Sequence, residues 1–260
     1  MRMPFSFGER QEIAGIVRPR QMYMKGSLTY MQWKGWRGEF CYDAWQAEYY
    51  AGEFRAYELK GMRILEIGFG DGGFLAWARD RGANVCGTEL IRDLVEAGKK
   101  KGFDVVCGEV DQAHELAGRE FDLIVAFDVF EHIELPRLRV YMKMYRSLLS
   151  ESGEVLCRFP NGQSPWGRTY QYADATHVSV LSAPVMDQIC RETGLTVIEA
   201  RNPYRVKGSG LRCLLRAILY SLRDALHFCL RKIYMLEPTF LDPNVVVRMG
   251  LSKRVSQEST

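Results

Sequence analysis

The residues with the clearest chemical potential are the eleven of Ile64-Leu65-Glu66-Ile67-Gly68-Phe69-Gly70-Asp71-Gly72-Gly73-Phe74. An apolar run closed by an acid and followed by glycines two apart reads as a buried strand turning tightly into a helix. Such a turn suits a ligand. Missing β-carbons let the backbone approach a bound molecule, and the first N–H groups of the helix that starts near Gly72 point at it. Gly68, Gly70 and Gly73 also satisfy the dinucleotide spacing G-x-G-x-x-G. Glu66 weighs against a dinucleotide, because a carboxylate at the strand end faces a pyrophosphate unfavourably and an ammonium favourably.

Of the two nucleoside cofactors that fit the turn, a nicotinamide dinucleotide carries the pyrophosphate and S-adenosylmethionine carries an ammonium and no phosphate. Two further acids end the following strand signals. Glu89 lies 17 residues beyond Gly72 and could accept both ribose hydroxyls. Glu109 could take an adenine amino group, with the backbone N–H of Val110 against the ring. After the most apolar strand comes Asp128-Val129-Phe130-Glu131-His132.

In this order, E-x-G-x-G-x-G from Glu66 to Gly72, Glu89, Gly108-Glu109, and Phe121-Asp122-Leu123-Ile124 running into D-x-x-E-H resemble the class I S-adenosylmethionine-dependent methyltransferases. The resemblance covers residues 62–200. It implies an α/β, Rossmann-like sheet of seven strands in the order 3-2-1-4-5-7-6, the last antiparallel. It also implies S-adenosyl-L-methionine as cofactor, held by Glu66, Gly68, Gly70, Gly72, Glu89, Glu109, Val110 and Asp128. Glu109 departs from the family, which more often has Asp there. Asp128, Glu131 and His132 also resemble the E-x-x-E-H set linked to magnesium in ubiquinone-biosynthesis O-methyltransferases; a structural role for them is the expectation, and a divalent cation the alternative.

A sugar or alcohol hydroxyl is a poor nucleophile near neutral pH, so a base must help it lose its proton. His177 and His132 are the candidate catalytic bases, with Asp128 or Asp174 as orienting acids. The segment after the fifth strand resembles the P-N-x-x-S-P-x-G and D-x-T-H segments of bacterial methyltransferases that accompany surface-polysaccharide assembly. It runs Pro160-Asn161-Gly162-Gln163-Ser164-Pro165-Trp166-Gly167, then Asp174-Ala175-Thr176-His177. Its Trp, Tyr, Asn and Gln suit sugar faces and hydroxyls. The expectation is an O-methyltransferase acting on a sugar hydroxyl of a glycan, lipid-linked or nucleotide-activated. The alternatives are a small lipophilic acceptor such as a quinone precursor, or a non-catalytic cofactor-binding module.

The elements that must position these groups alternate. Strands are expected at 62–67, 84–90, 104–110, 121–127, 154–159, 196–200 and 245–251, with helices at 39–59, 73–81, 94–101, 138–149 and 183–193, and a Gly/Pro-rich loop after 159. With 260 residues and 47% hydrophobic composition, one core with decorations is expected. The division expected is an arm and helix over 1–60, serving as a lid on the substrate side, and a methyltransferase domain over 61–260. Within the latter, 201–238 is a basic amphipathic insertion between strands six and seven.

The net charge of +3 conceals an asymmetry. Residues 1–38 hold seven Lys/Arg against two acids, and 201–232 hold eight against one, so the remaining residues sum to −9. That distribution suits a phosphate-bearing acceptor or an anionic membrane surface reached through residues 211–233. On a helical wheel Arg212, Arg216, Arg223 and His227 share one sector, opposite the leucines and Ile218. Seven cysteines without a C-x-x-C pair suggest thiols in a reducing compartment. No run reaches the length of a membrane span. A cytoplasmic protein, peripheral at the inner membrane face if the basic helix binds there, is expected. No nucleic acid is expected, since the basic residues lack interleaved planar platforms.

Overall fold

The computed structural model describes residues 30–237 and 239–252, the Arg212 side chain excepted. The chain forms two compact units, 1–37 and 38–260. In the first, the described residues are a short helical turn from Tyr30, where Tyr30 packs against Trp33 and Trp36 with ring centroids 5.7 Å apart in both pairs. The rest of the expected arm, residues 1–29, lies outside the described residues.

The second unit is built on strands β1 (Arg63–Ile67), β2 (Asn84–Glu89), β3 (Asp104–Cys107), β4 (Phe121–Phe127), β5 (Leu149–Pro160), β6 (Leu195–Arg201) and β7 (Asn244–Leu251). Their order is β3-β2-β1-β4-β5-β7-β6. β1 pairs in parallel with β2 and β4, whereas β7 runs antiparallel to both β5 and β6. The seven-stranded arrangement expected from the sequence is therefore present. Helices α1 (Ala44–Glu53), α2 (Gly73–Arg79), α3 (Arg92–Lys100), α4 (Leu135–Leu148), α5 (Gly167–Gln171), α6 (Ala183–Thr193) and α7 (Gly210–Ile233) flank it.

β4 shows why the central strands are legible. Leu123, Ile124, Val125 and Ala126 are all buried, as a continuous apolar strand covered on both faces requires. One face carries a cluster in which Phe54, the residue that ends α1, stacks on Phe74 of α2 at 4.8 Å, with Trp77 and Phe127 beside them. α1, grouped with the arm in the sequence reading, thus packs within the sheet unit.

Several boundaries differ from expectation for local reasons. α1 is shorter than 39–59 because Asp43 caps it reciprocally with Gln46. β3 stops before residue 110 because Gly108 takes φ 127°. β5 begins at Leu149, pairing that residue with Phe121, so a stretch expected to end the preceding helix is already strand. The loop after β5 contains α5. Its first residue must be glycine, since a β-carbon on Gly167 would stand 2.1 Å from the carbonyl oxygen of Asn161.

The largest difference is the orientation of α7. The sector of Arg216, Arg223 and His227 faces the domain, and the aliphatic sector faces outward. Asp242, 3% exposed, sets this orientation: it accepts from Arg205 and Arg223 at 2.9 Å each, and its Oδ1 is 4.0 Å from His227 Nδ1. Burying the carboxylate requires these cations nearby, which holds the basic sector inward.

Candidate active site

The site is assembled at the carboxyl ends of β1, β2 and β4, where open α/β sheets bind ligands. Gly68, Gly70 and Gly72 all have positive φ (65°, 54° and 76°), the conformation that strongly favours glycine. Gly72 also has no room for a side chain, as its β-carbon would lie 2.3 Å from the Phe40 ring. Phe40 is held there by its N–H, which donates to the Asp71 carbonyl at 2.9 Å, and by the Gly38 N–H, which donates to the Asp71 carboxylate at 2.5 Å.

Glu66 and Glu89 face the turn from β1 and β2. Glu66 is 5% exposed and its Oε2 has no hydrogen-bond partner. Burial, then the nearby Glu89 carboxylate, push its pKa well above the ordinary carboxylate range. A buried acceptor in this state fits the ammonium of S-adenosylmethionine, which would supply both charge and donors. Glu89 is held rigidly: Oε2 accepts from Gly70 N–H at 3.1 Å, and Oε1 from Leu90 and Ile91 N–H at 2.7 and 3.0 Å. Burial raises its pKa, and these amides oppose the rise.

Glu109 occupies its expected place after β3 with one oxygen engaged. Its Oε2 accepts from the Tyr141 hydroxyl at 2.8 Å and pairs with Arg137. Val110 is buried in the main core cluster. Asp128, at φ 56°, forms a two-point ion pair with Arg158, whose Nε lies 3.0 Å from Oδ1. Burial works against the Arg158 charge, but Asp128 and then Tyr49 outweigh it and hold the guanidinium firmly protonated. Asp128 is therefore partnered with Arg158, away from the orienting role beside histidine and away from the cation set in which it was first placed.

The histidines do meet. The turn Phe130–His132 follows β4, and the segment carrying Asp174 and His177 is strapped to it by the N–H groups of Val178 and Ser179, both donating to the Glu131 carbonyl. His132 and His177 stand edge to face with centroids 4.6 Å apart. His177 Nδ1 is 3.0 Å from the Gln171 carbonyl oxygen, so that nitrogen carries the proton and Nε2 is the acceptor. Nε2 lies 3.8 Å from Glu131 Oε1 and 3.9 Å from Asp174 Oδ2. His132 Nδ1 is 2.9 Å from Thr176 Oγ1, whose hydroxyl donates to Asp174 Oδ1 at 2.5 Å. Asp174 thus reaches both imidazoles. One ligand atom each from Glu131, His132 and His177 lie within 4.8 Å of one another, a set with the donor chemistry of a divalent-cation site.

Sequence reasoning missed Arg158, Thr176 and Arg137 as participants. Thr176 alone had a local signal, two residues after an acid and next to a histidine.

The sheet order together with the glycine turn and its two buried carboxylates defines the class I S-adenosylmethionine-dependent methyltransferase fold. The chain belongs to the family described as methyltransferase domain, which it matches over residues 42–200. It is 33% identical to a ubiquinone biosynthesis O-methyltransferase of Dinoroseobacter shibae over 109 residues, 38% of this chain and 41% of that protein. It is 28% identical to a sphingolipid C9-methyltransferase of Candida albicans over 127 residues, 44% of this chain and 24% of that protein. The chain therefore spans less than half the length of either relative. Among solved structures, an S-adenosylmethionine-dependent methyltransferase from Archaeoglobus fulgidus superposes with TM-score 0.58 at 17% identity, covering 87% of this chain and 99% of that one. The magnesium protoporphyrin IX methyltransferase of Synechocystis, solved with bound S-adenosylhomocysteine, gives 0.53 at 12%, covering 89% and 97%.

Proposed function

We propose that the protein is an S-adenosylmethionine-dependent O-methyltransferase whose acceptor is a sugar hydroxyl of a glycan, lipid-linked or nucleotide-activated. The observation that carries this reading is the loop from Asn161 to His177. It presents Trp166, Tyr170 and Tyr172 half exposed or more, and its far end delivers His177 to the turn after β4. Aromatic faces of this kind bind sugar rings. Glu66 would take the donor's ammonium, the glycine turn would lie along its backbone, and Glu89 would take the ribose. Glu109 and Val110 are assigned to adenine, and Asp128 to closing the floor of the site through Arg158.

The bound donor supplies a methyl group on a sulfonium, transferred by in-line displacement. The chain's own task is to align the hydroxyl, exclude water and accept one proton. His177 Nε2 accepts it, and the imidazolium that results is stabilised by the carboxylates of Glu131 and Asp174. His132 is held beside it through Thr176 and is the second candidate base. A lipid-linked acceptor would bring the chain, read as cytoplasmic, to the inner membrane face.

Labelled donor offered with soluble glycans, lipid-linked saccharides and nucleotide sugars tests the reading. Methyl incorporation into a saccharide hydroxyl supports it. Turnover only on a lipophilic phenol would replace it with the quinone-precursor reading, which the resemblance to the ubiquinone enzyme favours. Tight donor binding with no turnover on any acceptor would make the chain a non-catalytic module.

A further inference from the structure

α7 is amphipathic in the reverse of the usual sense. A helix lying on a domain ordinarily buries its apolar sector. Here the inward seam is Arg216, Tyr220, Arg223 and His227, tied to Asp242 and to the carbonyl oxygens of Val206 and Lys207. Outward lie Leu211, Leu214, Leu215, Ile218, Leu222 and Leu226, from 50 to 81% exposed. Over 24 residues this apolar face runs ~36 Å, far more than single surface leucines require.

We propose that this face is sunk into the surface of an anionic lipid membrane, with α7 lying in the membrane plane. Two observations select a membrane over a second copy of the chain. The exposed cations Lys207 and Lys232 stand at opposite ends of the apolar strip. Two α7 helices laid antiparallel set the Lys207 end against the partner's Lys232 end, and laid parallel set like ends together; cation meets cation in both, whereas an anionic surface satisfies both ends. Asp224, the acid of this helix, lies off the apolar strip beside the basic sector and is engaged by Arg205 at 2.7 Å, so no acid of α7 stands among the exposed leucines. No helix among the described residues is long and apolar enough to cross a membrane, and the contact proposed is a lateral one.

The anchorage also reaches the proposed acceptor loop. Asn161 Nδ2 donates to the Phe240 carbonyl at 2.6 Å and Ser164 Oγ to the Leu241 carbonyl at 2.7 Å, beside the Asp242 that holds α7. The helix and the loop after β5 therefore share one support, which sets the acceptor loop beside the membrane-bound helix. Only this placement of the acceptor rests on the transferase reading; the membrane contact does not.

Flotation of the full chain with vesicles of phosphatidylcholine, alone or mixed with phosphatidylglycerol, tests the proposal. The wild type is expected to float with the mixed vesicles. Leu222→Glu with Leu226→Glu, both at exposed positions, should lower partitioning at least tenfold, and Lys207→Glu with Lys232→Glu should abolish the preference for the anionic lipid. Donor binding, measured in parallel, should be unchanged in every variant. Failure of the wild type to float while it binds donor would overturn the proposal. So would a dimer in sedimentation that Leu222→Glu dissociates, which assigns the face to a second copy. Loss of methyl transfer with flotation intact counts against the transferase reading alone.

Discussion

Asp174 and His132 are joined through a single hydroxyl: Thr176 Oγ1 donates to the Asp174 carboxylate at 2.5 Å and lies 2.9 Å from His132 Nδ1. The same carboxylate comes within 3.9 Å of His177 Nε2, so one acid from the loop after β5 orients both imidazoles of the site.

If His177 is the base, His177→Ala should retain donor affinity within about twofold and lose roughly 10²–10⁴ in turnover, the usual worth of a positioned base. Calorimetry with the donor and a labelled-methyl assay measure the two quantities. Unchanged turnover removes His177 from the catalytic assignment. Prolonged treatment with a chelator should leave turnover intact; loss that manganese or zinc restores would make Glu131, His132 and His177 a cation site instead.

Glu66 makes the donor-free protein sensitive to pH in a defined direction. Its folded pKa is raised above its unfolded value by burial, then by Glu89. The folded state therefore holds the proton more tightly, and this group's contribution to stability falls as pH rises from the ordinary carboxylate range toward its folded pKa. Glu66→Gln should flatten that slope in denaturant titrations across pH and stabilise the donor-free chain at neutral pH. The same change should weaken donor binding at least tenfold, about 1.4 kcal/mol or more. A Glu66→Gln variant with wild-type donor affinity would sink the ammonium assignment.

Gly72→Ala should destabilise the chain by about 1–3 kcal/mol, combining the positive φ with collision against Phe40. Thermal denaturation measures it. Adding Phe40→Ala should recover the part due to collision and leave the backbone part, so a double variant no better than Gly72→Ala would show the contact to be unimportant.

Asp242 anchors α7, and Asp242→Ala would leave the Arg205 and Arg223 guanidiniums without the buried carboxylate they share. A loss of about 3–5 kcal/mol is expected for removing one partner of a buried ionic network. Hydrogen exchange should show its largest increase over 210–233, with the β4 amides still protected. A uniform increase would mean that α7 and the sheet open as one unit.

The glycine turn, the buried strands and the alternation of strand and helix were readable from residues alone. Their signals are local: a β-carbon excluded at Gly72, a continuous apolar run at β4, and a glycine just past a helix, such as Gly82 or Gly194, whose positive φ ends it. The order of the strands was legible through the resemblance those motifs carry. Side-chain partnership was not. Asp128 looked like a helper for histidine because it stands four residues before His132, but Arg158 arrives from the neighbouring strand and takes both its oxygens. His132 and His177, 45 positions apart, meet because a loop folds back and donates to the Glu131 carbonyl.

The helical wheel of α7 fixed that the helix has two faces. It could not say which one the domain keeps. That was decided by Asp242, a single buried carboxylate far along the chain, whose charge is tolerated inside only with Arg205 and Arg223 drawn in beside it, leaving the leucines to face outward. Periodicity determines an amphipathic face because it depends on neighbours three and four residues away. Which face turns inward depends on a charge brought there by the tertiary fold.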